Sequence, residues 1–342
     1  MNRKNILTVF GSLSLIVIVV SLILWRSFFS PLKISGEGVN IYIPPGAGYE
    51  EVKDTLRANG ILVNEKAFDI LSERKRYNSN VKPGRYVITD KMSNNDILNL
   101  LKSGGQTPVL VTFNNIRTPA ELSGRLGEQL ALDSASIHNA LLNESLYNNE
   151  GFKPETIIAA FIPDTYEVYW TVSAGDLIDR MIREFRRFWD KEKLKKAEEA
   201  GLSPVEVSTL ASIVDDEVLK EDEKPKIAGV YINRLRRNMP LQACPTIKFA
   251  LKDFTIRRVL NKHLDVDSPY NTYTHTGLPP GPVRCASKSG LLSVLNAEDH
   301  NYLYFVARHD FSGYHHFSTN LRDHLNYANK YQMELNRMQI YN

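Results

Sequence analysis

The chain has 342 residues, 43% hydrophobic and 24% charged, with 42 Lys and Arg against 39 Asp and Glu for a formal net charge of +3. That length predicts roughly two domains with a full apolar core, and the composition excludes a disordered chain, a collagen-like repeat and, with only 2 Cys, a disulfide-stapled miniprotein. Four basic side chains, Arg3, Lys4, Arg26 and Lys33, sit in the first 33 residues, which hold no acid; the remainder carries 38 basic against 39 acidic groups, so nucleic acid is not an expected partner.

Ile6 to Trp25 is a run of 20 uncharged residues built on Leu, Ile and Val. As a helix it spans roughly 30 Å, the thickness of a bilayer's hydrocarbon. A cleaved signal peptide would carry an apolar stretch of about 7–15 residues ending at a small-x-small site. Here the exit is the bulky Trp25-Arg26-Ser27-Phe28-Phe29, with no following Cys to take a lipid. Residues 1–33 are therefore expected to form a cytoplasmic start and a retained transmembrane anchor. Arg3 and Lys4 outweigh Arg26 in setting its orientation, which places the body outside the inner membrane.

Residues 34–113 read as a small α+β module. Asn40-Ile41-Tyr42-Ile43 alternates like a strand and Pro44-Pro45-Gly46 stops it. Helical positions follow around Val52 to Leu62 and Ala67 to Arg74. Gly84 to Ile88 is a strand, Ser93 caps a helix carrying Ile97, Leu98, Leu100 and Leu101, and Val109 to Phe113 closes the module as a strand. This order of elements is similar to LysM-like domains, which bind amino-sugar polymers; a plain spacer is the other reading.

Residues 114–342 form the second, mixed α+β domain. Helices are expected near Ala120 to Leu130 and Ser134 to Leu142, and one long charged amphipathic helix over 175–200, with Leu177, Met181, Phe185, Phe188 and Trp189 on one side. Its basic residues alternate with Glu and Asp, the pattern of a solvated face.

Ser203-Pro204-Val205-Glu206 is a capping box with Pro at the first helical position, so a helix starts there. At about 100° per residue, Val207, Leu210, Ala211, Ile213, Val214 and Val218 define one apolar face. Of Asp215-Asp216-Glu217, Asp215 falls on its border and Asp216 points outward; Glu217 projects between Ile213 and Leu210. A carboxyl in apolar surroundings loses hydration when charged, so its pKa rises and it can serve as a general acid near neutral pH. The alternative is a buried Glu paired with Arg234 or Arg236.

Further along, Ile227 to Leu235 reads as a helix with a polar Asn233-Arg234 pair, Pro240 to Thr246 as a polar loop, and Tyr302 to Val306 as a strand. Aromatic and Gly/Pro-rich loops supply flat apolar platforms and neutral hydrogen-bonding groups, which suit a sugar polymer. Leu210-Ala-Ser-Ile-Val-Asp-Asp-Glu217, Val230-Tyr-Ile-Asn-Arg-Leu235, Leu241-Gln-Ala-Cys-Pro-Thr246, Tyr270-Asn-Thr-Tyr273, Gly277-Leu-Pro-Pro-Gly281, Tyr302-Leu-Tyr-Phe-Val306 and His315-His-Phe-Ser-Thr-Asn320 together resemble the endolytic murein transglycosylase, or YceG-like, family. With Pro163-Asp164-Thr165-Tyr166, the small module and the anchor, the resemblance covers nearly the whole chain.

The resemblance implies a lytic cut at the MurNAc-β-1,4-GlcNAc bond inside peptidoglycan strands, leaving a 1,6-anhydro-MurNAc end, next to strand-synthesising partners. The family's catalytic acid is the second Glu of a Glu-x-Glu pattern, here Glu217; the first is replaced by Asp215, which is given a supporting role. Asn233, Gln242, Asn271, Tyr273 and Asn320 are assigned to substrate binding, with His315 lining the cleft, whereas Tyr231 and Tyr270 read as packing. Lytic cleavage needs one carboxyl group. A hydrolase would need a second, about 5 to 9.5 Å from the first, and a non-enzymatic glycan-binding tether would need none. Seven of the eight histidines follow residue 260 but none has a recognised ligand spacing, so neither metal nor cofactor is expected. Cys244 stands where the family usually has Asp; it and Cys285 are read as separate buried thiols, with a disulfide between them the alternative.

Overall fold

The computed structural model describes residues 3–31, 38–62, 64–256 and 258–339. Lys33, counted above among the anchor's charges, lies outside them. The chain divides into two compact units. One comprises Met1–Val111, Gln129–Leu132 and Tyr166–Val172, and the other Thr112–Glu128, Asp133–Thr165 and Ser173–Asn342.

The first unit begins with helix α1 (Arg3–Phe29), whose segment Gly11–Phe29 is long and apolar enough to cross a membrane and has no buried residue among those described. Strand β1 (Val39–Ile43) pairs antiparallel with β2 (Gly84–Ile88), Val39 opposite Ile88 and Ile43 opposite Gly84. Helices α2 (Tyr49–Ala58) and α3 (Glu65–Arg74) connect the two strands, and α4 (Asn94–Ser103) follows. Alternation drives Ile41 and Ile43 into the core with Tyr86, Ile88, Leu56, Phe68 and Leu98. Asn64 caps α3, and Ser93 with Asp96 forms the capping box of α4. Strand β3 (Val109–Thr112) ends one residue short of the predicted Phe113 and pairs with β4 (Thr165–Val168).

In the second unit, α5 (Pro119–Gly127) packs on α6 (Ser134–Leu142). The single helix expected over 175–200 is two, α7 (Ala174–Phe188) and α8 (Lys191–Ala200). Trp189 leaves helical geometry, and Asp190 adopts an extended backbone so that its carboxylate accepts the Lys193 N–H at 2.9 Å, starting a new helix. At the centre is α9 (Pro204–Glu217), flanked by α10 (Lys224–Arg236), α11 (Cys244–Leu251) and α13 (Lys288–Leu295), with the short α12 (Asn261–Leu264) beside α11. The predicted loop 240–246 is thus shorter than expected, since α11 begins at Cys244 with Pro245 in its first turn. Strands β5 (Tyr304–Ala307) and β6 (His315–Ser318) form an antiparallel pair covered by α14 (Leu321–Arg337).

The single apolar face expected of α9 is also corrected. Val207, Leu210, Ala211, Ile213 and Val214 are buried as predicted, but so are Ser208, Thr209 and Ser212. Ser208 and Thr209 donate their hydroxyls to carbonyls four residues back, and Ser212 to Thr209, which lets polar residues enter the core without orphaned groups. The Ser212 hydroxyl also accepts the Val283 N–H at 3.0 Å. Being enclosed on every side makes α9 a rigid support for its last turn.

Candidate active site

The last turn of α9 carries three consecutive carboxylates, each in a different setting. Asp215 is 4% exposed. Its carboxylate accepts the Lys224 ammonium at 2.8 Å, the Ser287 N–H at 2.7 Å and the Ser287 hydroxyl at 2.9 Å. Ser287 is the N-cap of α13 and Lys224 opens α10, so Asp215 ties the end of α9 to the starts of two neighbouring helices. Burial opposes the Lys224 charge, but hydrogen bonds to Asp215 and Glu221 outweigh it and raise the ammonium's pKa.

Asp216 leaves α9 away from Glu217, as the helix angles predict, yet it meets arginines rather than open solvent. Arg117 and Arg284 donate to the same oxygen at 2.8 and 2.9 Å.

Glu217 is the last residue of the helix. The residue is half-buried, but its Oε2 is buried and has no hydrogen-bond partner. Desolvation pushes its pKa up to about 7; Lys248 opposes the rise and Asp216 adds to it. The helix C-terminus, negative end of the backbone dipole, acts in the same direction as burial. The alternative ion pair with Arg234 is not formed. Arg234 donates instead to the carbonyls of Leu303 at 2.6 Å and Leu241 at 2.9 Å and to Gln242 Oε1 at 3.2 Å.

Tyr231, Cys244 and Tyr273 share this neighbourhood. Burial raises the pKa of all three, to about 11 for Cys244, and the charge of Glu217 adds to each shift. Cys244 Sγ lies 3.4 Å from the Tyr273 hydroxyl, and Tyr231 is 1% exposed with no partner for its own hydroxyl. Cys244 and Cys285 are both free thiols.

Among the residues predicted to bind substrate, Tyr273 is the one brought into this electrostatic cluster. Asn271 builds the loop that presents it: fully buried, it accepts the Tyr273 N–H at 3.0 Å and donates to the carbonyls of Leu264 and Val266. Gln242 adopts a left-handed backbone, φ 52°, and its N–H donates to the Thr272 carbonyl at 2.9 Å, joining two loops. Asn233 donates its amide to the carbonyls of His300 and Tyr302, His315 pairs with Glu223 at 2.8 Å, and Asn320 caps α14. These side chains hold scaffold atoms. The loop Gly277–Pro280 lines a cavity of about 710 Å³ with Ser203 and Glu206, at the opposite end of α9 from Glu217.

Sequence reasoning missed Lys248, Arg117 and Arg284, and read Tyr231 as packing alone. The available signal for Lys248 was its position one helical turn after Cys244; the two arginines lie far from Asp216 in sequence and carried none. Among the described residues, no group of three or more His, Cys, Asp or Glu is placed to hold a metal ion.

A model of the YceG-like family matches residues 41–330. The chain is similar to the endolytic murein transglycosylase of Bacillus subtilis (strain 168), 29% identical over 328 residues that cover 90% of this chain and 88% of that protein. It is equally similar, 29% over 303 residues, to the endolytic murein transglycosylase of Streptococcus pneumoniae serotype 2 (strain D39), covering 79% of this chain and 54% of the relative, so it spans about half the pneumococcal protein. A 2.6 Å crystal structure of a YceG-like protein from Listeria monocytogenes superposes with a TM-score of 0.56 at 26% identity, covering 85% of this chain and 98% of that one.

Proposed function

The chain belongs to the YceG-like family, and from that premise we propose that it is a peptidoglycan lytic transglycosylase whose catalytic residue is Glu217. The observation that carries the reading is a buried, unpaired carboxyl oxygen on a group whose pKa lies at about 7. Protonated, Glu217 donates to the glycosidic oxygen between MurNAc and GlcNAc. As carboxylate, it then takes the proton from the C6 hydroxyl as that oxygen attacks C1, closing the 1,6-anhydro ring. Both steps use one residue and no water.

A hydrolase would draw on a second carboxylate. Asp215, bonded to Lys224 and Ser287, and Asp216, bonded to Arg117 and Arg284, are both committed to other partners, which favours the lytic route.

In this reading α1 is a retained single-pass anchor with a cytoplasmic N-terminus, and the catalytic unit works outside the inner membrane. The strand-helix-helix-strand order of β1, α2, α3 and β2 supports a LysM-like, glycan-holding role for residues 34–113. Cutting beside the membrane would terminate nascent strands next to a peptidoglycan synthesis complex.

The test is the product mass from full-length protein in detergent acting on isolated peptidoglycan. Anhydro ends that disappear in Glu217→Gln are expected. Ends heavier by one water would identify a hydrolase; glycan binding without cleavage by the wild type would identify a tether.

A further inference from the structure

We propose that Arg117 and Arg284 form a subsite for a substrate carboxylate around Asp216, the residue that precedes the catalytic acid in α9. The proposal rests on the peptidoglycan reading above. Both guanidinium groups bond one oxygen of Asp216, at 2.8 and 2.9 Å. Two cations thus share one carboxylate oxygen; the nearby Glu121 carboxylate accepts the Arg117 backbone N–H at 2.7 Å and forms an ion pair with neither guanidinium. Arg284 makes one further bond, to the neutral Asn115 amide oxygen at 2.7 Å, and Arg117 lies over the Phe254 ring at 5.0 Å; neither contact supplies an anion.

The Nε atoms of both arginines are buried and have no hydrogen-bond partner. Arg284 is held at 13% exposure while Arg117 keeps 31%, so the pair is fixed on one side and open on the other. A guanidinium presents five donors in a planar fork matched to a carboxylate. Glu217, the next residue along α9, is uncharged in its acid form and cannot neutralise the pair. Peptidoglycan offers two carboxylate sources: the lactyl group of a peptide-free MurNAc, and the stem peptide of a substituted one.

The experiment measures equilibrium binding of fluorescent glycan strands to full-length Glu217→Gln, so that it does not depend on turnover. Peptide-free and peptide-bearing strands are each compared with their carboxyl groups free and methyl-esterified. Esterification is expected to weaken binding about tenfold, the worth of one charge-assisted hydrogen bond. Confinement of the effect to peptide-free strands identifies the lactyl carboxylate, and confinement to peptide-bearing strands the stem peptide. Adding Arg284→Gln should abolish the discrimination, whereas adding Asp216→Asn, which removes the competing anion, should enlarge it. Equal binding of free and esterified strands of both kinds would overturn the subsite. Failure of the wild type to release anhydro ends would overturn the lytic reading separately.

Discussion

Lys224 and Asp215 form a salt bridge of 2.8 Å in which both side chains are almost completely enclosed, 6% and 4% exposed. Two charges withdrawn from water are tolerated because each has further partners: Ser287 for the carboxylate, Glu221 and Ser289 for the ammonium. The bridge lies two residues before Glu217 and holds the helix end from which the acid projects.

Removing one partner should be costly. Asp215→Ala leaves Lys224 buried with only its Glu221 and Ser289 contacts, and is expected to destabilise the fold by about 3 kcal/mol. Denaturant midpoints of the variant and wild type, compared at equal slope, measure the loss. A change below a few tenths of a kcal/mol would show that the bridge contributes nothing.

Gly290 offers an independent probe of the same contact. A Cβ at this position would come within 2.5 Å of the Asp215 carboxylate, which cannot swing aside without breaking its bonds to Lys224 and Ser287. Gly290→Ala should therefore lower activity even though alanine favours a helix. If the alanine variant is more stable and fully active, Asp215 has more freedom than its bonding implies.

The raised pKa of Glu217 makes stability depend on pH with a definite sign. The folded protein holds this proton up to about pH 7, whereas the unfolded chain releases it near 4.5, so the native state loses stability as pH rises between those values. The full effect is up to about 3 kcal/mol. Glu217→Gln lacks the titration. Relative to wild type it should gain stability from pH 4.5 to pH 8, as read from guanidinium unfolding at the two pH values.

In the proposed mechanism the same proton sets the rate. Because the free enzyme must carry Glu217 in its acid form, kcat/KM should fall above about pH 7, roughly tenfold per pH unit. Lys248 pulls this pKa down. Lys248→Met should consequently move the alkaline limb to higher pH, and a limb left in place would remove Lys248 from the site's electrostatics.

The position of Glu217 was legible because Ser203 and Pro204 fix where α9 begins, and helix geometry then sets the direction of every later residue. The break between α7 and α8 was not legible: apolar spacing continues through Phe185, Phe188 and Trp189, and only the Asp190 cap interrupts it. The burial of Ser208, Thr209 and Ser212 was not legible because their bonds to their own helix are invisible in a hydrophobic pattern. Arg117 and Arg284 lie far from Asp216 in sequence and on either side of it, a relationship that only tertiary packing creates.

Cys244 permits a chemical test of the environment around the acid. Burial is the main cause of its thiol's rise from 9 to about 11, with the Glu217 charge adding to it. Only the thiolate reacts with an alkylating agent, so at pH 8 its fraction, and with it the labelling rate, should be about a hundredfold below that of an unperturbed thiol. Cys285 is buried and its pKa is raised as well, so native protein should label slowly at both positions. Unfolding in guanidinium without reductant should expose two titratable thiols. Rapid single labelling of the native protein would show that Cys244 is open to solvent, and with it the surroundings that hold the Glu217 proton; no thiol released on unfolding would reveal a disulfide between the two cysteines.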